Sequence, residues 1–302
     1  MGRIAFVFSG QGDQHPGMGK ELYEKYAAAR SVFDTCDSLR PGTSEMCFSG
    51  TEEELKETAN TQPCMFAFEL AAAAVLIENG IRPDAAAGFS LGEVAAAAAT
   101  GLFDLETGFK LVTKRGQLMQ EEAEKHDTTM AAVVKLTAEQ VEEVCSRHEG
   151  IYPVNYNSPG QVSVSGLASA MPAFKEDIKE IRGRVLPINV RAAFHSPFMQ
   201  PAADAFAEAL KDVEFSAPSV PLYANLTAQP YGADPAELLA KQMANPVRWE
   251  QTVRNMIAAG IDTFVEVGPG QTLINLIKRT DPNVRTYCVA ELDTLLAEVK
   301  NA

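Results

Sequence analysis

The sequence lacks the residue groupings that bind metal or cross-link a small protein. Its five cysteines, at 36, 47, 64, 145 and 288, form no CxxC pair, and its four histidines, at 15, 126, 148 and 195, show neither HExxH nor HxH spacing. These absences exclude a zinc ribbon and a disulfide framework, and the cysteines read as buried, reduced thiols. Positive charge is scarce too: 26 Lys+Arg against 40 Asp+Glu leave a formal charge of −14. Phosphate neutralisation needs a net basic face, so nucleic acid is not expected as a partner. Long hydrophobic runs are missing as well. The first, Ile4–Phe8, is too short for a secretory segment and is ended by Gly10 and Gly12. No stretch reads as the ~20 apolar residues of a membrane span. Gly2 has no polybasic support for a lipid anchor. A cytoplasmic protein with no membrane partner is the expectation.

What is present is 302 residues, 46% of them hydrophobic. A chain of that size buries about 75% of its unfolded surface and needs no staple. It suggests two domains, or one large α/β unit carrying an insertion. Ile4–Phe8 is an apolar, β-leaning run that opens into a Gly-rich loop, as strands of buried parallel sheets do. Helices are expected near 20–38, 51–59 and 63–79, with Thr51 and Glu54 as a capping box and Gly80 as a stop. Asp84–Phe89 reads as a second buried strand and Leu91–Ala99 as an alanine-dense helix. Leu105, Phe109, Val112, Gly116 and Met119 mark one stripe of another helix. From about 126 the rhythm becomes strand–helix–strand–strand–helix–strand up to Val190, the ferredoxin-like order. Alternating α/β then resumes. The chain therefore divides into a main domain of residues 1–125 and 192–302 and an inserted subdomain of 126–191.

One motif carries chemistry in its context. Gly88-Phe89-Ser90-Leu91-Gly92 is G-x-S-x-G with a strand before it and a helix after it. A serine on that turn presents its hydroxyl at the sheet edge, beside the free N–H groups of a helix start. The competing reading is a glycine turn with a capping serine. A nucleophilic serine needs a base. His195 lies in a loop just after the inserted unit, where the chain returns past the strand ends, whereas His126 and His148 close helices in polar surroundings. The loop Gly10-Gln11-Gly12 matches neither G-x-x-x-x-G-K-[ST] nor G-x-G-x-x-G. Its N–H groups suit an oxyanion better than a nucleotide. Arg115, one residue before Gly116, borders the buried helix face, where a guanidinium takes a carboxylate. That carboxylate belongs either to a substrate or to the fold.

Together these pieces resemble the malonyl-CoA:acyl-carrier-protein transacylases and the acyltransferase domains of fatty acid and polyketide synthases. The resemblance spans nearly the whole chain. It rests on Gly10-Gln11-Gly12 with Gln14, Thr61-Gln62-Pro63, Gly88-Phe-Ser90-Leu-Gly92-Glu93, and Arg115-Gly116 with Met119-Gln120. Further on come Asn155-Tyr-Asn157-Ser-Pro-Gly-Gln161, Phe194-His195-Ser196, Asn245-Pro-Val-Arg-Trp249 and Glu266-Val-Gly-Pro-Gly270.

The resemblance implies an α/β-hydrolase-like parallel-sheet domain with an inserted ferredoxin-like subdomain. It implies transfer of malonyl from malonyl-CoA to an acyl carrier protein through Ser90, with His195 as base and the N–H groups of Gln11 and Leu91 as oxyanion hole. Arg115 would hold the malonyl carboxylate, with Gln62, Met119, Asn157 and Phe194 also at the substrate. In the family a backbone carbonyl orients the histidine; here that maps to Asn245–Trp249, with Arg248 as the expected residue. No metal or cofactor is implied, and a monomer is expected. Phe194 before His195 is the malonyl-selective pattern. Phe89 departs from the histidine usual before the nucleophile, and Ala192 from a histidine frequent in polyketide members. The alternatives are a trans-acting polyketide acyltransferase, a serine (thio)esterase or an idle scaffold protein. Lys278-Arg279, closing the helix after Gly270, is the candidate docking patch for an acidic carrier protein, or else merely complements that helix's dipole.

Overall fold

Ile-Ala-Phe-Val-Phe at Ile4–Phe8 (β1) is apolar on both faces, and such a strand must be covered on both sides. The computed structural model, which describes residues 2–300, places it at the centre of a five-stranded sheet with every residue buried. After β1 come α1 (Lys20–Lys25), α2 (Ala27–Leu39), α3 (Thr43–Ser49), α4 (Glu52–Lys56) and α5 (Thr58–Glu78). Next are β2 (Ala85–Gly88), α6 (Leu91–Ala99) and α7 (Leu105–Ala123). A second unit follows: β3 (Thr128–Val134), α8 (Ala138–Cys145), β4 (Ile151–Ser158), β5 (Gln161–Leu167), α9 (Met171–Glu180) and β6 (Arg184–Ile188). The chain returns through a short 3-10 turn at Pro197–Met199 to α10 (Gln200–Leu210), β7 (Leu222–Tyr223), α11 (Pro235–Gln242) and α12 (Trp249–Ala258). It ends with β8 (Thr263–Val267), α13 (Thr272–Thr280), β9 (Arg285–Cys288) and α14 (Leu292–Lys300).

The large sheet is parallel, in the order β7-β2-β1-β8-β9. The small one is antiparallel, in the order β4-β5-β3-β6, which is ferredoxin-like. It has a core of its own, with Val133, Val141, Val164, Phe174 and Ile178 buried together. The fold is thus the expected parallel α/β domain interrupted by a ferredoxin-like unit. Register matters for function: Phe8 pairs with Gly88, so the loops after β1 and β2 leave the sheet side by side. That crevice at the carboxyl ends of the strands is where open α/β sheets bind ligands.

Two helical expectations change. The segment near 20–38 is two helices, because Tyr26 is extended at φ −119°, ψ 123°. The segments near 51–59 and 63–79 divide earlier, at Glu57, and Pro63 lies inside α5. Pro63 is the sixth residue there, so only the carbonyl of Ala59 loses a donor. The 21 residues of α5 are long and apolar enough to cross a membrane by length and composition, contrary to the reading that no stretch approaches a span. The helix is instead a core helix, most of its residues buried inside the protein. Both capping boxes form, at Thr51–Glu54 and Thr137–Gln140, and all five cysteines are buried and free.

Candidate active site

Ser90 lies one residue past the end of β2, after Phe89, and occupies the N-cap of α6 at φ 55°, ψ −109°. A non-glycine residue there carries strain of about 1–3 kcal/mol, which surrounding contacts must hold in place. Asn225, fully buried after β7, supplies two of them. Its side-chain oxygen accepts from the Ser90 N–H at 2.7 Å, and its amide donates to the Gly88 carbonyl at 2.5 Å. The flanking glycines permit the close approach. A Cβ on Gly92 would lie 2.3 Å from the Phe8 carbonyl oxygen, and one on Gly88 would lie 1.9 Å from the backbone of Gly92.

His195 sits at φ 62° in the loop after β6, with its N–H donated to the Met243 carbonyl. Its Nε2 is 2.7 Å from Ser90 Oγ and its Nδ1 is 2.9 Å from the Gln242 carbonyl oxygen. A carbonyl can only accept, so Nδ1 carries the proton and Nε2 presents a lone pair to the serine hydroxyl. Burial, and secondarily the charge of Arg115, push the imidazole down to about 4, so it is neutral at physiological pH. The other three histidines lie elsewhere. His148, expected as a solvated cap, pairs with Asp177 at 2.9 Å, and His126 packs on Phe198.

Arg115 is 1% exposed on α7. Gly116 beside it lets α7 approach α5, since a Cβ there would be 2.9 Å from the Thr58 carbonyl. The guanidinium consequently reaches Gln62 Oε1 at 2.9 Å, Gln242 Oε1 at 2.6 Å and Ser90 Oγ at 3.3 Å. Met119 accepts from the Gln62 amide through its sulfur, 3.4 Å away. Burial lowers Arg115 to about 10, still charged at neutral pH. It forms no salt bridge among the described residues, and its Nε has no partner there. The guanidinium thus contacts no carboxylate directly, Glu93 acting on it only at longer range, and it lies beside the Ser90 hydroxyl, a setting that can receive an anion.

Leu91 is the first residue of α6, so its N–H is one of the free donors of the helix start. Gln11 follows β1 and lines, with Gly10, Phe89, Asn155 and Asn157, a cavity of about 290 Å³ between the two sheets. Asn157 is buried there and donates to Ser163 Oγ. Phe194 is buried beside His195. Phe89 meets Trp249 edge-on at 5.6 Å, an apolar contact where a histidine would bring a polar ring.

One assignment is corrected. Gln242, and not Arg248, supplies the carbonyl on His195. Arg248 spends its carbonyl inside α12, on the N–H and hydroxyl of Thr252. Gln242 ends α11, where a carbonyl is free to leave the helix. Lys278 and Arg279 stand outside the catalytic cluster, exposed at the end of α13, with Arg279 donating to Gln161 on β5. Sequence reasoning missed Asn225, Gln242 and Tyr231, and left Glu93 inside a motif with no role.

The acyl transferase domain profile matches residues 5–294. The chain belongs to the acyltransferase family. A malonyl CoA-acyl carrier protein transacylase of Bacillus subtilis (strain 168) is 37% identical, the match covering 98% of this chain and 96% of that protein. A crystal structure of a malonyl CoA-acyl carrier protein transacylase from Clostridium perfringens superposes with a TM-score of 0.96 at 33% identity, covering 99% of this chain and 98% of that one. A malonyl-transacylase solved with its type II PKS acyl-carrier protein gives 0.94 at 32% identity, covering 99% and 100%.

Proposed function

We propose that the chain transfers malonyl from malonyl-CoA to the phosphopantetheine thiol of an acyl carrier protein, through a malonyl-Ser90 ester. The observation that carries this reading is the buried Arg115 guanidinium, which lacks a carboxylate and lies 3.3 Å from Ser90 Oγ. A malonyl group supplies the missing anion at that distance from its reacting carbonyl. The names of the relatives agree with it.

The serine oxygen attacks the thioester carbonyl while its proton passes to His195 Nε2. The tetrahedral oxyanion is met by the N–H groups of Gln11 and Leu91. Collapse breaks the C–S bond, and the imidazolium returns its proton to the departing coenzyme A thiolate. The carrier-protein thiol then gives its proton to His195 and attacks the ester, and the same steps run in reverse to restore the serine hydroxyl. Pairing of the malonyl carboxylate with Arg115 also offsets the positive charge that depresses His195, so the correct substrate strengthens its own base. Every proton and charge in this scheme is carried by side chains, backbone N–H groups and the two thiols. It is therefore written without metal or cofactor.

Water as acceptor would make the protein a thioesterase, but a buried cation reserved for the acyl carboxylate serves acyl selection in either case, and the carrier-protein complex of a relative favours the thiol. We place carrier docking at Lys278 and Arg279, near the Gln161 rim of the inter-sheet cavity. We take the protein to act as a cytoplasmic monomer, since the contacts of Ser90 with His195 and Arg115 need no second copy. The test is the intact mass of the protein after mixing with malonyl-CoA. A malonyl adduct that maps to Ser90 and vanishes in Ser90→Ala is expected; an adduct on another residue overturns the scheme.

A further inference from the structure

Glu93 is completely buried on α6, one turn beyond the nucleophile. Its Oε1 accepts from the Tyr231 hydroxyl at 2.6 Å and from the backbone N–H of Asn225 at 3.2 Å, and its Oε2 accepts from Gln242 Nε2 at 2.7 Å. The same Gln242 amide nitrogen also donates to the Ser90 carbonyl at 2.7 Å, while Gln242 Oε1 accepts from Arg115. One carboxamide thus lies between an anion and a cation. We propose that Glu93 is a positioning residue that locks the Gln242 carboxamide, oxygen toward Arg115 and nitrogen toward Ser90, and so holds the carboxylate-binding guanidinium over the nucleophile. This rests on the malonyl-Ser90 reading above.

The lock follows from donor and acceptor chemistry. Burial raises the Glu93 carboxyl to about 7, against the hydrogen bonds from Tyr231, Gln242 and Asn225. Above that pH it is a carboxylate that only accepts, so it takes the amide NH2, and the amide oxygen is left for the guanidinium, which only donates. A reversed amide would set two acceptors and two donors face to face. A neutral isostere cannot replace the carboxylate here. In Glu93→Gln the side-chain oxygen is claimed by the Asn225 backbone N–H, which can only donate, and the new NH2 then faces Gln242. That amide must turn over, presenting nitrogen to Arg115, or a buried donor is left unpaired.

The test follows acylation of Ser90 at about pH 8.5, where Glu93 is ionised, by malonyl-CoA and by acetyl-CoA, which has no carboxylate to clamp, in the wild type, Glu93→Gln, Gln242→Met and the double variant. Gln242→Met keeps the backbone carbonyl on His195 and removes only the carboxamide. Glu93→Gln is expected to slow malonyl acylation about tenfold or more, and acetyl acylation by less than about threefold. In the Gln242→Met background Glu93→Gln should add less than about twofold, because the amide it orients is gone. Equal losses for both acyl groups would make Glu93 a support of the turn only. Faster malonyl acylation would mean that Glu93 merely offsets the Arg115 charge, and additive effects would mean that it acts without Gln242. Any of these overturns the proposal. Should Glu93→Gln not fold, Gln242→Met decides alone: a loss confined to malonyl supports the lock, and an equal loss defeats it. Failure of the wild type to take malonyl on Ser90 would strike the parent reading instead.

Discussion

His195 Nδ1 lies 2.9 Å from the carbonyl oxygen of Gln242, the last residue of α11, so a helix end orients the imidazole proposed as base, where many serine enzymes use an acid. No countercharge then supports the imidazolium, and burial with Arg115 nearby disfavours it further. The base works only when unprotonated. Acetyl-CoA acylation of the wild type should therefore hold as pH falls through 6 and decline only toward about 4. In Arg115→Ala the repelling charge is gone, and the acid limb should move to higher pH. A wild-type limb at the ordinary imidazole value, or a limb that Arg115→Ala leaves in place, would contradict this account. His195→Ala should slow acylation by about 10²–10⁴.

Acyl choice should depend on Arg115. Arg115→Ala removes the partner of the malonyl carboxylate, and malonyl transfer should fall at least about a hundredfold more than acetyl transfer. Arg115→Lys should recover little, because an ammonium cannot reach Gln62 and Gln242 together while facing the serine. Parallel kinetics with the two thioesters check this, and equal losses would make Arg115 a structural residue.

The nucleophile turn should tolerate no side chain at Gly92. Gly92→Ala would drive a methyl group to 2.3 Å from the Phe8 carbonyl, forcing β1 and α6 apart at a cost of about 3 kcal/mol or more. Chemical denaturation should show the loss, and acylation should fall with it. A variant as stable as the wild type would mean that the turn has slack that these distances do not show.

Carrier docking can be separated from chemistry at Lys278. Arg279→Glu would also break the contact with Gln161, so Lys278→Glu is the cleaner probe. It should weaken transfer to carrier protein while leaving malonyl-Ser90 formation within about twofold, and the defect should shrink as salt screens both enzymes alike. Loss of both half-reactions together, or of neither, would place the docking surface elsewhere.

The sequence alone determined the elements and their order, because buried parallel strands such as Ile4–Phe8 and Thr263–Val267 and the Thr137–Gln140 capping box are written in local composition and spacing. It also singled out Ser90, His195 and Arg115, since G-x-S-x-G between a strand and a helix is a local pattern and a nucleophile leaves few choices of base. What only the tertiary structure decided is which groups hold them. Asn225, Gln242 and Tyr231 act from 135 to 152 residues beyond the serine or its neighbour Glu93. They follow β7 or end α11, where no local pattern distinguishes them from surface polar residues. The exit of one carbonyl from α11 moved the histidine's support from Arg248 to Gln242, a difference set by where that helix stops. Likewise the apolar length of α5 acquires its meaning from the helices and sheet packed around it, because composition records that a segment must be buried and packing decides in what.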